Sequence, residues 1–456
     1  MLGILVSRAD RASTHIGEHL LDLADWEEAE DDSRADAAGG GTVYRTDGAE
    51  LREFDDLHLH LDRPADAYDD VDLLVVASKH AGETGRLLTA HHTGNFGPAD
   101  HGGADFALSR ACPNAHARVL DALETHAPER YDVGMECTHH GPTDVGAPSM
   151  FVEVGSSEAE WEDPDAARAV ARAILDLRGV APDSPPEDGA DDDRHRRHLV
   201  GIGGGHYAPR FERVVRETDW AVGHVAADWG IEAMGDLDSP DSRAVLAAAF
   251  EQSRAAYALV DGDRPDVAAG VENAGGRVVG ETWVRETDGV PLGFVDRAED
   301  AIATVAEGLR FGDPAAGYDG DFSVVDLPRE LLDEVSGIDR EATRAAVAET
   351  ALAFDTEHNG TRASGPVALA DAADRAAIMA GLLDVLERRY DSVERDGDEV
   401  IARTQAFSPE KARTLGIPEG PAFGKLSNGQ PVEVDGETIP PGAVSEERER
   451  RFPLEK

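Results

Sequence analysis

The sequence predicts an α/β fold, a sandwich whose central sheet is mostly parallel or mixed. Continuous apolar runs at 2–7 and 71–78 are typical of strands that helices cover on both faces of a sheet. The segment 162–179 carries the clearest helix pattern, with an Asp-Pro start and a glycine at its end. Because strands and helices alternate through the first half of the chain, we expect the helices to pack on the sheet.

The other elements of this half are weaker in pattern. The segment 27–50 is acidic and rich in glycine, and it is predicted to be a surface loop. Further strands are predicted within 86–94, 149–156, 198–209 and 219–226, and a further helix within 113–126.

The character of the sequence changes after about residue 285. Alanine-rich helical patterns without histidine clusters cover 297–310, 328–353 and 368–393, and the last fifty residues are rich in glycine and proline with short strands. We therefore expect two domains, residues 1–285 and a mainly helical C-terminal extension at residues 286–456.

The acidic composition says more about the salt concentration in which the protein works than about its binding partners. The 456 residues carry a net charge of −49, and only four of the 43 basic residues are lysines. Such a chain is typical of proteins adapted to high salt, which screens self-repulsion and shortens the Debye length to about 3 Å at 1 M. The two cysteines form no Cys-x-x-Cys pair, which excludes thiolate zinc fingers and a disulfide framework.

The sequence also carries no pattern of export or membrane insertion. The N-terminus lacks the basic and apolar regions of a signal peptide, and no apolar run approaches the ~20 residues that a membrane span needs. We therefore expect a cytoplasmic protein, acting as a monomer without a membrane partner.

Ionisable residues follow four of the predicted strands. They are Lys79 with His80, then His91, Glu153 and His206. In α/β proteins ligands bind outside the carboxyl ends of strands, so these side chains are candidates for one composite site.

The stretch MECTHHGPT at 135–143 adds two adjacent histidines, His139 and His140, close to Glu136. Histidines and carboxylates are sufficient in number for a metal site with three or four ligands. No His-Glu-x-x-His or His-x-x-x-His spacing ties them to one helix. The spacing therefore leaves a metal site and a metal-free site both open.

Several catalytic classes are disfavoured by missing motifs. The segment GIGGGH at 201–206 fails the Gly-x-Gly-x-x-Gly dinucleotide pattern, and the chain has neither a P-loop nor a Gly-x-Ser-x-Gly elbow. Neither cysteine stands in a recognisable nucleophile context. The remaining chemistry is hydrolysis by water that a histidine and carboxylate set activates, with or without a metal.

Five motifs, in this order, resemble the archaeal and plant D-aminoacyl-tRNA deacylase family, and the acidic composition is similar to that of a haloarchaeal member. They stand at 77–97, 136–143, 151–161, 201–211 and 221–225. The resemblance implies a three-layer α/β/α sandwich with a mixed sheet, like peptidyl-tRNA hydrolase and the phosphorylase group. It also implies hydrolysis of the ester between a D-amino acid and the 3′ ribose of tRNA, with two zinc ions per subunit.

The resemblance and the strand-end positions together suggest a role for each candidate residue. Water activation would fall to His140 or His206, orientation of a histidine to Glu136, and contact with the terminal phosphate or ester oxygen to Lys79. The residues expected at the substrate are Gly203, Gly204, Gly205 and Asn95, with the glycine N–H groups stabilising an oxyanion. The residues expected to bind zinc are His80, His91, His139, Glu153 and His224.

Two other classes of function stay open, a zinc-stabilised, non-catalytic tRNA-end binding protein and a metal-dependent peptidase or amidohydrolase. The expected partner is the acceptor end of D-aminoacyl-tRNA rather than DNA. The tail at 412–444 resembles a segment of the tRNA 3′-processing endonuclease ribonuclease Z. That enzyme's His-x-His-x-Asp-His pattern is absent, since HLHLD at 58–62 lacks the final histidine. The tail therefore suggests only a shared tRNA-related surface.

Overall fold

A computed structural model describes residues 1–187, 193–371, 373–434 and 436–454. The chain divides into two compact units, Met1–Asp288 and Gly289–Lys456. The first unit contains a large mixed sheet, a smaller parallel sheet and the helices that pack on them.

Strands and helices are interleaved along the described part of the first unit. The strands are β1 (Leu2–Ser7), β2 (Glu27–Asp31), β3 (Gly41–Thr46), β4 (Ala49–Phe54), β5 (Leu73–Lys79), β6 (Leu87–His91), β7 (Gly94–Asn95), β8 (Ala107–Leu108), β9 (Asp132–Met135), β10 (Ser149–Gly155), β11 (His198–Ile202), β12 (Ala221–Ala226), β13 (Tyr257–Val260) and β14 (Arg277–Val279). The helices are α1 (Arg11–Leu23), α2 (Pro113–His126), α3 (Glu158–Trp161), α4 (Pro164–Leu175), α5 (Pro209–Glu217), α6 (Asp228–Met234), α7 (Pro240–Ser253), α8 (Pro265–Asn273) and α9 (Glu281–Glu286).

The large sheet has the strand order β2-β3-β4-β1-β5-β10-β6-β9. Its centre is parallel from β4 through β1 and β5 to β10, whereas β6 pairs antiparallel with β10 and parallel with β9. The prediction of an α/β fold with a mixed sheet is confirmed. The segment 27–50 is not a loop, because β2 and β3 form an edge hairpin there. Its exposed, charged strand shows no apolar alternation, and backbone pairing rather than burial holds it.

The two faces of the large sheet have different coverings. Helices α1, α2 and α4 pack on one face. On the other face Leu74, Val76 and Phe151 form an apolar cluster with the short helical turns and loops around 58–67. Because side chains alternate along a strand, Glu153 shares this second face with Phe151. The second face is the one that carries the ionisable residues.

The smaller sheet has the strand order β12-β11-β13-β14, and its strands are all parallel. Helix α7 packs on β11 and β12, and helix α2 of the large sheet also contacts β12. The loop that follows β9 bonds to this sheet, since the N–H of Thr138 donates to the carbonyl of Val225 at 2.9 Å. This loop therefore joins the two sheets at the candidate site.

The second unit combines helices with antiparallel sheets in its described residues, so the expectation of a mainly helical extension is wrong. Its helices are α10 (Leu292–Ala301), α11 (Arg329–Ile338), α12 (Arg340–Ala348), α13 (Asp374–Glu387), α14 (Pro409–Thr414) and α15 (Pro421–Ser427). Its strands are β15 (Arg310–Phe311), β16 (Ser323–Asp326), β17 (Ala353–Glu357), β18 (Arg362–Leu369), β19 (Ser392–Asp396), β20 (Glu399–Phe407), β21 (Val432–Val434), β22 (Glu437–Ile439) and β23 (Ser445–Pro453).

β18 was not predicted from the sequence, and it contains a Gly-Pro step. β23 lies within the last fifty residues, where short strands are predicted, although its sequence, SEERERRFP, is almost wholly charged and exposed. β23 is held by its register with β20 over nine residue pairs, and Phe452 is the side chain that it buries. In the part of the chain that the structure describes, no helix is long and apolar enough to cross a membrane.

A buried ion-pair network ties the edge hairpin to the large sheet. The Arg52 guanidinium is 2% exposed and bonds Glu50 at 2.6 Å, Asp31 at 2.5 Å and the Gly39 carbonyl at 2.7 Å. Glu50 also accepts a hydrogen bond from Arg45, whose side chain is 47% exposed. Removing the buried arginine leaves a buried carboxylate with a single exposed partner.

The substitution Arg52→Ala should lower the free energy of unfolding by about 3–5 kcal/mol, because it breaks a buried pair from one side. The matched control Arg45→Ala should cost about 1 kcal/mol or less, because its charge is largely solvated. Urea unfolding in high salt measures the loss in the free energy of unfolding for each variant. Equal losses for the two variants would contradict the structural role assigned to Arg52.

Candidate active site

The predicted site residues meet on one face of the large sheet rather than along one edge. Because β6 runs antiparallel to β10, His91 at the end of β6 pairs with Phe151 in the middle of β10. His91 therefore lies close to Glu153, and Glu136 follows β9, which runs parallel to β6. Strands of opposite direction thus bring their ionisable residues to the same place.

Glu136 is the buried centre of this arrangement. It is 1% exposed, its Oε2 accepts a hydrogen bond from His206 Nε2 at 2.6 Å, and its Oε1 lies 3.1 Å from His80 Nδ1. Burial opposes ionisation, but hydrogen bonds from His206 and His80 hold the pKa of Glu136 well below its usual range. Glu136 is therefore a carboxylate that orients one imidazole from each of the two sheets.

A second buried carboxylate, Glu153, lies beside the first. Its Oε2 is 3.7 Å from His80 Nδ1, and its Oε1 is 3.6 Å from His91 Nε2. Burial opposes protonation of both histidines, yet the two carboxylates raise the pKa of His80 to about 11 and also raise the pKa of His91. The same negative charge that attracts a proton to these rings also attracts a metal cation.

Three imidazoles, those of His91, His139 and His140, converge next to the carboxylates. The Nδ1 atom of each lies 2.7–3.1 Å from a backbone carbonyl oxygen one or two residues away. Such a bond fixes the ring and leaves Nε2 as the nitrogen that can bind a metal. The ring of His139 stacks on His91 with centroids 4.1 Å apart, and the centroid of His140 is 4.4 Å from that of His139.

The backbone of His140 is unusual for a residue with a β-carbon. Its φ angle is 45°, in the left-handed region, and its carbonyl accepts a hydrogen bond from the Gly94 N–H at 2.8 Å. Such a conformation costs free energy and persists where the surroundings fix it, as they commonly do at functional sites. Burial beside His139 and His91 lowers the pKa of His140, so its ring is neutral and able to act as a metal ligand or a base.

The donors fit a metal ion. The buried His91 Nε2 makes no hydrogen bond with any residue that the structure describes, which is expensive unless a ligand satisfies it. One donor atom from each residue lies within 4.8 Å of the others in three groups, namely His91 with His139 and His140, His80 with Glu136 and Glu153, and Cys137 with His139 and His206. Imidazole nitrogen and carboxylate oxygen are ligands of zinc and other first-row metals.

His224 does not join these groups. Its Nδ1 bonds the Thr138 hydroxyl at 3.0 Å and its Nε2 bonds the Ser109 carbonyl at 2.8 Å, so both ring nitrogens are already occupied. The Thr138 hydroxyl in turn accepts the N–H of Val225 at 3.0 Å. His224 therefore holds the residue that precedes His139, and the expectation that it binds zinc is not supported.

Lys79 and Asn95 also lie apart from the converging rings. Side chains alternate along β5, and the Lys79 ammonium sits over the Trp161 ring, 5.2 Å from its centroid, on the helix-covered side. The amide nitrogen of Asn95 donates to the carbonyls of Gly102 and Ala104 at 2.9 and 3.1 Å. Its observed contacts hold a loop in place.

Two N–H groups of the glycine turn after β11 donate hydrogen bonds within the protein. The N–H of Gly203 donates to the Ala226 carbonyl at 2.7 Å, and that of Gly204 donates to Asp228 Oδ1 at 2.9 Å. These two N–H groups are therefore not available for an oxyanion, which corrects the expectation for them. Gly205 is exposed and is followed directly by His206.

Two neighbours of the predicted residues give no signal of their own in the sequence. The Tyr207 hydroxyl lies 3.2 Å from His80 Nε2, and the Cys137 sulfur lies 3.6 Å from His206 Nδ1. Both directly adjoin predicted site residues along the chain, and that adjacency is the only hint of their place. Burial raises the pKa of Cys137 to about 12, so its thiol stays protonated at neutral pH and is no nucleophile.

The fold and this geometry define an α/β protein with a buried histidine and carboxylate centre suited to a metal. The family model for D-aminoacyl-tRNA deacylase matches residues 67–278, the segment that holds all of the candidate site residues. A D-aminoacyl-tRNA deacylase of Haloarcula marismortui is 58% identical over 100% of both chains. One of Natronomonas pharaonis is 57% identical over 99% of this chain and 100% of its own. The chain belongs to the D-aminoacyl-tRNA deacylase family.

A solved crystal structure gives a further similarity. It is that of a conserved protein of unknown function, 28% identical to this chain with a TM-score of 0.53. The match covers 63% of this chain and 98% of the other. The α/β architecture is therefore shared with a shorter protein.

Metal binding distinguishes His139 from His224. The substitution His139→Ala should weaken binding of a divalent metal ion by more than about 100-fold, because it removes a ring nitrogen that two donor groups share. His224→Gln should keep the metal affinity and instead lower the melting temperature, because it disrupts a buried hydrogen-bond pair. Competition with a chromophoric chelator measures the metal affinity, and thermal unfolding measures the melting temperature. Loss of metal from the His224 variant with retention in the His139 variant would contradict this division.

Proposed function

We propose that this protein hydrolyses the ester bond of D-aminoacyl-tRNA and releases the free D-amino acid and tRNA. The single observation that carries the proposal is the convergence of His91, His139 and His140 beside the Glu136 and His206 pair. The full-length similarity to relatives named D-aminoacyl-tRNA deacylase gives the substrate class. The acceptor end of tRNA is then the part of the partner that enters the site.

We further propose that the metal is zinc and that two ions bind per subunit. The first donor group consists of three imidazoles, and the second combines one imidazole with two carboxylates, which gives two sets of zinc ligands. When bound, zinc lowers the pKa of a water ligand toward ~7 and polarises a carbonyl oxygen. The proposed ligands are His91, His139 and His140 for one ion, and His80, Glu136 and Glu153 for the other.

The roles of the protein's own residues follow from their bonds. His206 Nε2 donates to Glu136 at 2.6 Å, and Nδ1 lies 3.6 Å from the Cys137 sulfur. Nδ1 would accept a proton from water once water displaces this weak thiol contact. The imidazole is one-third exposed, so a substrate can reach it, whereas Glu136 is buried. Glu136 keeps the ring in this tautomer and stabilises the positive charge that forms on it, as an orienting carboxylate does in other hydrolases. His206 is therefore the proposed general base.

His140 is the proposed second catalytic position. Its left-handed backbone directs a neutral ring beside His139 and Phe151, and the ring centroid is 5.1 Å from that of Phe151. A neutral imidazole in this position binds the metal or contacts the ester carbonyl, but not both. Lys79 and Asn95 have no direct role in this scheme, since their contacts lie elsewhere.

Four further expectations remain predictions of this proposal. They are the three-layer α/β/α arrangement, the assignment of catalysis to residues 1–285 with an extension of unknown role at 286–456, the cytoplasmic location and the monomeric state. The extension's resemblance to a ribonuclease Z segment is compatible with a tRNA-related role for its tail.

The substitutions His206→Ala and His140→Ala should each lower kcat/KM for D-tyrosyl-tRNA by about 10²–10⁴, because the first removes the proposed general base and the second removes a proposed zinc ligand or ester contact. His126→Ala, which changes a histidine on the far helix α2, is the matched control and should retain full activity. Rates are measured in high salt, with L-tyrosyl-tRNA as the stereochemical control.

The outcomes separate the candidate functions. Near-full rates for both variants with normal folding would exclude these two catalytic assignments. Wild-type protein that binds tRNA tightly but leaves the D-ester intact would favour a non-catalytic tRNA-end binding protein. Cleavage of peptides or simple amides in preference to the charged tRNA would favour a peptidase or amidohydrolase.

A further inference from the structure

An exposed tryptophan stands beside the candidate active site. In the described part of the chain the large hydrophobic side chains that are exposed are Trp229, Val324 and Leu415. Trp229 is 47% exposed and is the member of this set that lies in the first unit. By contrast, Trp220 and Trp283 are buried in the core. An exposed indole at a functional site is more informative than an exposed aliphatic residue, because isolated apolar side chains are common on surfaces.

Helix α6 fixes the place of this indole. The helix starts at Asp228, directly after β12, and Asp228 exchanges two hydrogen bonds with Gly204, each 2.9 Å long. Gly204 belongs to the turn that leads into His206. The first turn of α6 is therefore tied to the turn that presents the proposed general base.

The turn that presents His206 also bonds to the loop that carries Glu136. The N–H of Cys137 donates to the His206 carbonyl at 2.8 Å, and the Cys137 sulfur lies 3.6 Å from His206 Nδ1. Trp229 directly follows Asp228, the residue that holds this turn, and nearly half of the Trp229 surface remains open to a ligand.

The charges around the indole disfavour recognition of phosphate. Arg264 bonds Asp228 at 2.9 Å, and Arg210 bonds both Asp261 and Glu281. The nearby guanidinium groups are thus paired with carboxylates, and the whole chain carries a charge of −49. High salt weakens phosphate contacts further, because their affinity depends on counterion release. An uncharged aromatic ligand is the chemistry that suits this surface.

We propose that Trp229 is the stacking platform for the terminal adenine base of the tRNA acceptor end. The proposal rests on the proposed function, in which the ester on the terminal ribose lies at His206. The base and the ester are substituents of the same ribose, so a base platform has to stand about one nucleoside away from the catalytic groups. Stacking of a base on an aromatic ring supplies affinity without charge and tolerates salt.

The experiment compares Trp229→Ala and Trp229→Phe with Val324→Ala, a change at an exposed aliphatic side chain, in the full chain. Binding of uncharged tRNA is measured in high salt by fluorescence anisotropy, with an intact CCA end and with an end that lacks the terminal adenosine. Trp229→Ala should weaken binding of the intact tRNA by about 10- to 100-fold, the loss typical for one stacked base. Trp229→Phe should retain most of the affinity, and Val324→Ala should bind like the wild type.

The tRNA that lacks the terminal adenosine provides the most direct comparison. It should bind the wild type and Trp229→Ala equally, because the base that stacks is missing. Equal affinity of wild type and Trp229→Ala for the intact tRNA would overturn the proposal, as would an equal loss for both tRNAs. Unchanged melting temperature of the variants, expected for an exposed side chain, excludes misfolding as the cause.

Hydrolysis of D-tyrosyl-tRNA by the same variants distinguishes a failure of the stacking proposal from a failure of the proposed deacylase function. Wild-type hydrolysis with a raised KM in Trp229→Ala supports both. Wild-type hydrolysis with unchanged kinetics and binding in Trp229→Ala overturns the stacking platform and leaves the function standing. Absence of wild-type hydrolysis with adenosine-dependent, Trp229-dependent binding overturns the function and leaves the platform standing.

Discussion

The hydrogen bond between the buried carboxylate of Glu136 and His206 is the interaction on which the rest of the site depends. A carboxylate inside a protein is costly unless charged or hydrogen-bonding groups stabilise it, and Glu136 lies against one ring from each sheet, His80 and His206. The loop after β9 that carries Glu136 also carries His139 and His140. Bonds from Thr138 to β12 keep this loop in place, so the two sheets and the candidate metal ligands form one connected network.

Much of the fold was predictable, because the buried face of a strand or helix requires apolar residues at a regular spacing in the sequence. The strand expected at 2–7 and the helix expected at 113–126 are confirmed, since both have continuous apolar faces. The elements that were missed lack such a pattern. The edge strand β2 exposes charged side chains, and backbone pairing with β3 stabilises it. The strand β18 contains a Gly-Pro step, which is unusual within a strand. Neither strand has the apolar alternation that local pattern reasoning detects.

The site could be predicted as a set of residues but not as a geometry. The histidines and carboxylates before and after glycine turns were recognisable, and the structure brings His80, His91, Glu136, Glu153 and the 139–140 pair together. The orientation of these side chains could not be predicted from the sequence. It depends on the face of the strand that each residue occupies and on the carbonyl oxygen to which each ring nitrogen bonds. The ring of His224 is the clearest example, since both of its nitrogens are satisfied inside the core.

Anomalous diffraction at the zinc absorption edge tests the central claim most directly. Crystals of the full chain grown with added zinc should show a peak about 2.1 Å from the Nε2 atoms of His91, His139 and His140, the distance typical of zinc bound to imidazole nitrogen. A second peak should lie among His80, Glu136 and Glu153. Zinc bound instead at His224, or no ordered zinc at either donor group, would contradict the account.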